Sequence, residues 1–340
     1  MTTPRRALPG LLTAAAVVAA LAGCGESQAS EADTLTVYSA QHESLVRTML
    51  EGFTDETGIE LEFRDANDSE LANQIVQEGD ASPADVFLTE NSPAIDVVDS
   101  EGLLEPVDQT TLDQVEPAYR PESGNWVGFA ARSTALIYNP AEIAEGELPA
   151  SMLDLADPAW EGRVAIAAGG ADFQAIVSAV LALEGEDATR EWLDGLQRNA
   201  EIYASNTAIM KAVDEGEVPV GITYHYYWFR DQAQNGLIGD DARLHWFRNQ
   251  DPGAFVSVSG AGVLASSDKK DDAQRLVEWL TAREAQERLA DSSALEYAVG
   301  VGAASAPDLP PLADLQAPAV DPGSLDAPQV TELMQEAGLL

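Results

Sequence analysis

Short apolar strand patterns alternate with helix patterns along most of this 340-residue chain. A strand pattern at residues 35–38 is followed by a helix pattern that ends at Gly58. The same order recurs in the middle of the chain, where a strand pattern at residues 164–168 precedes Gly169, Gly170 and an apolar helix. Such alternation predicts an α/β fold with a mostly parallel sheet that is covered by helices.

The first residues have the pattern of an export signal. Arg5 and Arg6 form a basic start, an apolar run too short for a membrane span follows, and Leu-Ala-Gly precedes Cys24. This ending resembles a bacterial lipobox, in which the cysteine is acylated and becomes the new N-terminus. We therefore predict a lipoprotein signal peptide at residues 1–23 and a lipid anchor and tether at residues 24–33, which place the protein on the extracytoplasmic face of the cell membrane. The alternative is an ordinary secretory signal that ends at a cysteine.

The composition limits both the architecture and the partners. Cys24 is the only cysteine, so an intrachain disulfide is impossible and the exported protein needs a sufficient hydrophobic core. The mature chain exceeds the size at which a single core stops growing, which predicts two lobes. A formal net charge of −40 favours solubility and argues against nucleic acid or anionic lipid as a partner. It is compatible with a cationic ligand.

Several candidate ligand side chains follow predicted strands directly. His42 follows the first strand, Glu90 follows a buried strand after Pro83, and Tyr226 and Tyr227 follow a strand at residues 218–223. Ligands of open parallel sheets gather beyond the carboxyl ends of the strands. We therefore expect these side chains, which come from three separate units, to line one cleft. Taken singly, each has a simpler interpretation as a capping, surface or packing residue.

At these positions the chain resembles the periplasmic ferric-ion-binding proteins of the bacterial transferrin-like family. The matching segments are Val37-Tyr38-Ser39-Ala40-Gln41-His42, Ser82-Pro83-Ala84-Asp85-Val86-Phe87, Glu90 with Pro93-Ala94, Tyr226-Tyr227-Trp228, Asp251-Pro252-Gly253-Ala254 and Ser259-Gly260-Ala261. The resemblance implies a two-lobed periplasmic-binding-protein fold, type II-like, with crossover hinge strands and an interlobe cleft. It implies an N-terminal lobe of residues 34–132 plus about 259–310 and a C-terminal lobe of about 133–258 plus 311–340.

The resemblance also implies the metal ligands. His42 would supply an imidazole nitrogen, Glu90 a carboxylate oxygen, and Tyr226 and Tyr227 two phenolate oxygens. Fe(III) is a small, hard ion that favours anionic oxygen, and one carboxylate with two phenolates offsets its three positive charges. The family implies a monomer that captures ferric iron and delivers it to the permease of an ABC importer, without catalysis.

The chain departs from the family at the segment that holds a synergistic anion, carbonate or phosphate, in some relatives. That loop carries hydroxyl residues in phosphate-assisted relatives, but here it consists of Gly169, Gly170 and Ala171, followed by Asp172. A helix start offers backbone N–H groups to an anion. Because Asp172 adds negative charge, we expect weaker anion capture; alternatively, Asp172 only complements the helix dipole.

Three further residues align with the anion site. Asn206 matches a family asparagine, although it could also cap a helix, and Tyr224 stands where the family has a second asparagine. Arg132 aligns with a cleft arginine and could pair with a carbonate-like anion. Its alternative is an ordinary ion pair with a carboxylate of the protein.

The same residues allow two alternative functions, capture of an organic cation and catalysis. An organic cation such as a polyamine or thiamine would be held by aromatic stacking and carboxylates, and would need no histidine at the end of the first strand. An enzyme is disfavoured because no Gly-x-Ser-x-Gly, His-Glu-x-x-His or phosphate-loop motif is present, and because His225 and His245 lack a metal-triad spacing.

The anchor prediction is tested by Cys24→Ala. The substitution removes the thiol that would be acylated, so the protein should leave the membrane fraction and appear in the soluble extracytoplasmic fraction. Fractionation with immunoblotting measures this, and mass spectrometry of the wild-type protein should find no peptide that precedes residue 24. Unchanged membrane retention of the variant would contradict the lipobox interpretation.

Overall fold

The structure is a computed structural model that describes residues 34–234, 236 and 241–340. The predicted signal peptide, the tether and Cys24 lie outside the described residues. Across the described ranges, no helix combines the length and apolar character that crossing a membrane requires.

The order of elements follows the alternation that the sequence predicts. The first ten are β1 Thr34–Ser39, α1 Glu43–Met49, α2 Phe53–Thr57, β2 Glu60–Asp65, α3 Asp68–Glu78, β3 Val86–Leu88, α4 Ser92–Ser100, β4 Leu104–Glu105, α5 Gln109–Leu112 and β5 Val127–Tyr138. The next seven are β6 Val164–Ile166, α6 Ala171–Glu184, α7 Glu186–Asn199, β7 Ala200–Ile202, α8 Asn206–Asp214, β8 Val220–Tyr224 and α9 His225–Ala233. The last six are β9 Arg243–His245, β10 Val256–Leu264, α10 Lys270–Thr281, α11 Arg283–Asp291, α12 Leu312–Leu315 and α13 Ala327–Glu336.

Two strands join the two halves of the sheet, whose main order is β2-β1-β3-β10-β5-β8-β6-β7. The outer strands are parallel in each half: β1 with β2 and β3, and β6 with β7 and β8. The long strand β5 pairs antiparallel with β10 as far as Ser133 and with β8 from Thr134 onward. β10 in turn pairs with β3. The chain therefore crosses between two α/β lobes on β5 and β10.

Each lobe has a core on both faces of its part of the sheet. In the first lobe, α1, α2, α10 and α11 cover one face and α3 and α4 the other, through side chains that include Met49, Phe53, Leu276, Leu71 and Ile95. In the second lobe, α6, α7 and α13 cover one face and α8 the other, through Ile176, Trp192, Leu333, Ile209 and Val213 among others. Burial of these apolar faces supplies the main driving force for folding.

The C-terminal tail connects the lobes a third time. Leu315 is buried in the core of the first lobe, whereas Leu325 and Val330 are buried in the core of the second. The tail therefore joins the second lobe later than residue 311, because α12 still packs against the first lobe. The lobe boundaries beyond this point stay a prediction.

Candidate metal centre

The four predicted ligands lie where the strands of the two lobes reach the cleft. His42 follows β1 and immediately precedes α1, and its side chain makes no capping hydrogen bond to that helix. Glu90 follows β3, and Tyr226 and Tyr227 occupy the first turn of α9, which begins directly after β8. The first lobe therefore supplies an imidazole and a carboxylate, and the second lobe supplies two phenols.

Three of the four side chains are in direct contact across the cleft. The Tyr226 hydroxyl donates a hydrogen bond to Glu90 Oε1 at 3.0 Å and lies 3.2 Å from His42 Nε2. His42 Nε2 lies 3.4 Å from the same Glu90 oxygen. Tyr226 is fully buried, whereas the His42 side chain remains 34% exposed. The donors thus form a compact cluster that reaches solvent on the histidine side, with the cleft closed.

Tyr227 joins this cluster through its ring and through another carboxylate. Its ring stacks on that of Tyr226 with centroids 4.2 Å apart. Its hydroxyl donates to Asp172 Oδ2 at 2.9 Å. Asp172, for which the sequence suggested weakened anion capture or a helix-dipole role, is therefore part of the donor cluster.

Two asparagine amides hold the Asp172 carboxylate in place. Asn206 Nδ2 donates to Oδ2 at 2.8 Å, and Asn91 Nδ2 donates to Oδ1 at 3.1 Å. Asn206 is free to do so because Ser205, which the sequence analysis overlooked, caps α8 by accepting from the Ala208 N–H. Asn91 was also missed; its only signal was its position directly after Glu90.

The predicted anion loop leads into the start of α6. Gly169 is exposed, Gly170 is the residue before the helix, and Ala171 is its first residue. The carboxylate of Asp172 stands in the first turn of that helix, where its negative charge is favoured by the helix dipole. Tyr224 is buried, and its hydroxyl donates to the Asp172 backbone carbonyl at 3.4 Å.

Arg132 is completely buried beneath the cluster and has a partner within the protein. Its Nη2 donates to Glu296 at 2.7 Å and to Ser259 Oγ at 2.6 Å. Ser259 also accepts from Gln41 at 2.7 Å and donates to the Glu90 carbonyl at 3.2 Å. Arg132 Nη2 therefore has a carboxylate partner within the protein, whereas Nε and Nη1 are buried without a hydrogen-bond acceptor among the described residues. Whether these two groups hold an anion stays a prediction.

Burial shifts the titration of the whole cluster. Burial raises the pKa of Glu90 to about 7. Burial, together with the nearby charge of Glu90, also raises the pKa of Asp172 to about 7. Burial also raises the pKa of Tyr226 well above the usual value for a phenol, and that of Tyr227 as well. The pKa of His42 is lowered by burial. Without a metal ion, protons therefore occupy much of the cluster at neutral pH.

The donor set indicates which metal would suit the cluster. Within the described part of the chain, no three His, Cys, Asp or Glu side chains form a group that could hold a metal ion. A metal site here therefore needs the phenol oxygens of Tyr226 and Tyr227. Oxygen donors that become anionic suit a hard, highly charged cation better than a soft one.

Known proteins resemble this chain over most of its length. Residues 81–321 match the family model for bacterial extracellular solute-binding proteins. The chain is 55% identical over 315 residues to the Fe(3+)-binding periplasmic protein of Serratia marcescens, covering 92% of this chain and 93% of that protein. It is 34% identical over 308 residues to the major ferric iron-binding protein of Neisseria gonorrhoeae, covering 90% and 93%.

Solved structures show the same fold. Iron-bound HitA from Pseudomonas aeruginosa has a TM-score of 0.83 and 39% identity, covering 90% of this chain and 99% of that chain. The Trichodesmium protein IdiA (FutA), in complex with iron and citrate ligands, has a TM-score of 0.79 and 25% identity, covering 90% and 100%. This chain therefore belongs to the family of bacterial extracellular solute-binding proteins and is a relative of its ferric-ion-binding members.

Proposed function

We propose that this protein binds ferric iron in its interlobe cleft and delivers it to an ABC-type membrane importer. The observation that carries the proposal is the contact of an imidazole, a carboxylate and a phenol, from His42, Glu90 and Tyr226, drawn from both lobes within 3.4 Å. With Tyr227 they supply the four donors that the family resemblance implies. The relatives named above bind ferric iron according to their descriptions.

Iron would enter by replacing protons. The Tyr226 hydroxyl hydrogen points to Glu90 and that of Tyr227 points to Asp172. A ferric ion between these oxygens displaces both hydrogens, because coordination favours the deprotonated form of each ligand. The resulting two phenolates and two carboxylates carry four negative charges, of which the ferric ion offsets three.

We further propose that Asp172 takes the part of the synergistic anion. Its Oδ2 lies 2.9 Å from the hydroxyl of the predicted ligand Tyr227, beside the helix start where an external anion was expected. A resident carboxylate there supplies negative charge that carbonate or phosphate would otherwise bring.

The cellular setting of the proposal comes from the sequence. Acylation of Cys24 would hold a monomer on the extracytoplasmic face of the cell membrane, beside the importer. Solute binding of this kind involves no catalysis. The protein would capture the ion first and then release it to the ABC permease.

Capture of an organic cation is less well supported. Such a ligand needs an open aromatic face. The Tyr226 ring is stacked against Tyr227, and the guanidinium of Arg230 lies 5.8 Å from its centroid. Both faces of the Tyr226 ring are therefore approached by protein groups, which leaves no open ring face on which an organic cation could stack.

Removing one phenol oxygen tests the ferric site. Tyr226→Phe and Tyr227→Phe keep the ring but remove a charged ligand, so each should lower iron affinity by roughly a hundredfold or more and weaken the visible phenolate-to-iron band. Absorbance titration with ferric salt measures both effects. Tyr138→Phe, a buried tyrosine at the far end of β5, is the control. Full colour and affinity in the Tyr227 variant would contradict the proposed ligand set.

Iron affinity should fall as pH falls. Both phenols keep their protons in the empty site across the neutral range, so binding releases about two protons per iron above pH 7. Because the pKa values of Glu90 and Asp172 are about 7, these carboxyls are also protonated below that pH, and the slope should approach about four protons. Competition with a chelator of known pH dependence measures the slope. A slope of one or less would exclude two phenolate ligands.

Because Asp172 is proposed to take the part of the synergistic anion, we expect iron affinity to be independent of phosphate. Wild-type iron affinity should change by less than about twofold when phosphate is added, because the carboxylate already fills the anion position. Asp172→Asn keeps the shape but removes the charge, so this variant should bind iron more weakly and gain affinity from phosphate at the helix start. Iron titrations with and without phosphate measure this. A large phosphate requirement in the wild type would refute the role.

A further inference from the structure

Asn91 connects three parts of the molecule through one side-chain amide. Its Nδ2 lies 3.1 Å from Asp172 Oδ1 in the second lobe and 3.4 Å from Asp68 Oδ2 in the first lobe. Its Oδ1 accepts from Ser257 Oγ at 2.8 Å, on the crossover strand β10. The residue is only 2% exposed. A buried side chain whose amide nitrogen and oxygen are both hydrogen-bonded, and which joins the two lobes, is a candidate for controlling their separation.

The first lobe holds Asn91 rigidly. The Asp68 carboxylate, at the start of α3, accepts the backbone N–H of Glu90 at 2.9 Å and that of Asn91 at 3.0 Å. Asn91 therefore cannot follow Asp172 when the second lobe moves away. Opening the cleft must break the bond between Asn91 and Asp172.

This bond differs from the other hydrogen bonds that cross the cleft at the cluster. The contacts of Tyr226 with His42 and Glu90 use donor atoms that a metal ion would take. Asn91 instead binds Oδ1 of Asp172, while Tyr227 and Asn206 bind Oδ2. A metal ion at Oδ2 would leave the bond from Asn91 to Oδ1 intact, so this bond can hold the cleft closed with or without a bound ion.

One side of the bond between Asn91 and Asp172 faces a cavity. A cavity of about 440 Å³ lies beside it, between α3 and α4 of the first lobe and α6 and α13 of the second. Asp68, Asn91 and Ala171 are among the residues that line it. Beside this cavity the lobes touch through α4, which packs against α6 and α13, so the bond from Asn91 to the Asp172 carboxylate adds to these contacts in holding the lobes together.

We propose that Asn91 is a positioning residue that holds the cleft shut, by tying Asp172 of the second lobe to the first lobe. It thereby sets how long the bound solute stays. The effect on closure is independent of the solute, whereas the effect on iron release rests on the proposed function. Asn206 makes the matching bond to Asp172 from within the second lobe, so it does not hold the lobes together.

The test compares Asn91→Asp and Asn91→Leu with Asn206→Leu and Ser257→Ala, after circular dichroism has confirmed folding. Small-angle scattering of the metal-free proteins should show a larger radius of gyration for both Asn91 variants and the wild-type radius for the other two. Iron-loaded Asn91 variants should keep the visible band but lose iron to a competing chelator roughly tenfold faster than wild type. Asn91→Asp keeps the side-chain shape and the acceptor for Ser257, so it is the milder variant should Asn91→Leu fail to fold. Its measurements are made at alkaline pH, where the new carboxylate has no proton to donate to Asp172.

The outcomes separate this proposal from the ferric one. The proposal would be overturned if metal-free wild type and Asn91→Asp had equal radii of gyration. It would also be overturned if Asn206→Leu expanded as much as the Asn91 variants, because the expansion would then come from a displaced Asp172 and not from the lost bond between the lobes. An Asn91→Asp protein that releases iron at the wild-type rate would also overturn it. A wild type that takes up no iron refutes the ferric site, while the scattering comparison still decides the role of Asn91.

Discussion

The pairing of β5 with β10 is the interaction on which the cleft depends. β5 changes its partner from β10 to β8 at the boundary between the lobes, and the pairing of β5 with β10 shifts register between Ser259 and Gly260. Arg132 on β5 and Ser259 on β10 meet at this boundary, and Ser259 bonds to Gln41 and to the Glu90 carbonyl. The two segments that carry the first-lobe donors are therefore fixed to the hinge itself. The second-lobe donors approach them only as that hinge allows.

Much of the fold follows from local patterns in the sequence. Alternating strand and helix signals predicted the α/β architecture, and chain length predicted two lobes. We could expect three of the predicted ligands to approach one another, because each follows a strand whose end faces the cleft. The structure places the side chains of His42, Glu90 and Tyr226 in contact. Their role as iron ligands stays a prediction.

Contacts that cross between lobes could not be predicted in the same way. Asp172 and Asn91 are 81 positions apart, and nothing in either segment shows that the closed cleft joins them. The same limit applies within the first lobe, where Arg132 and Glu296, 164 positions apart, pair only because the chain returns to this lobe after β10. Such contacts depend on the tertiary arrangement, whereas periodicity and capping patterns report only on neighbours within a few turns.

The hydrogen bond from Tyr226 to Glu90 has a consequence for transport. It joins the second lobe to the first through a proton that a metal ion between the two oxygens would displace. A proton and a metal ion would therefore compete for the same closed cleft, and the two forms would present an importer with much the same outline. An importer that responded to outline alone would then hydrolyse ATP without cargo. One that avoids this would have to sense how firmly the lobes resist being pulled apart.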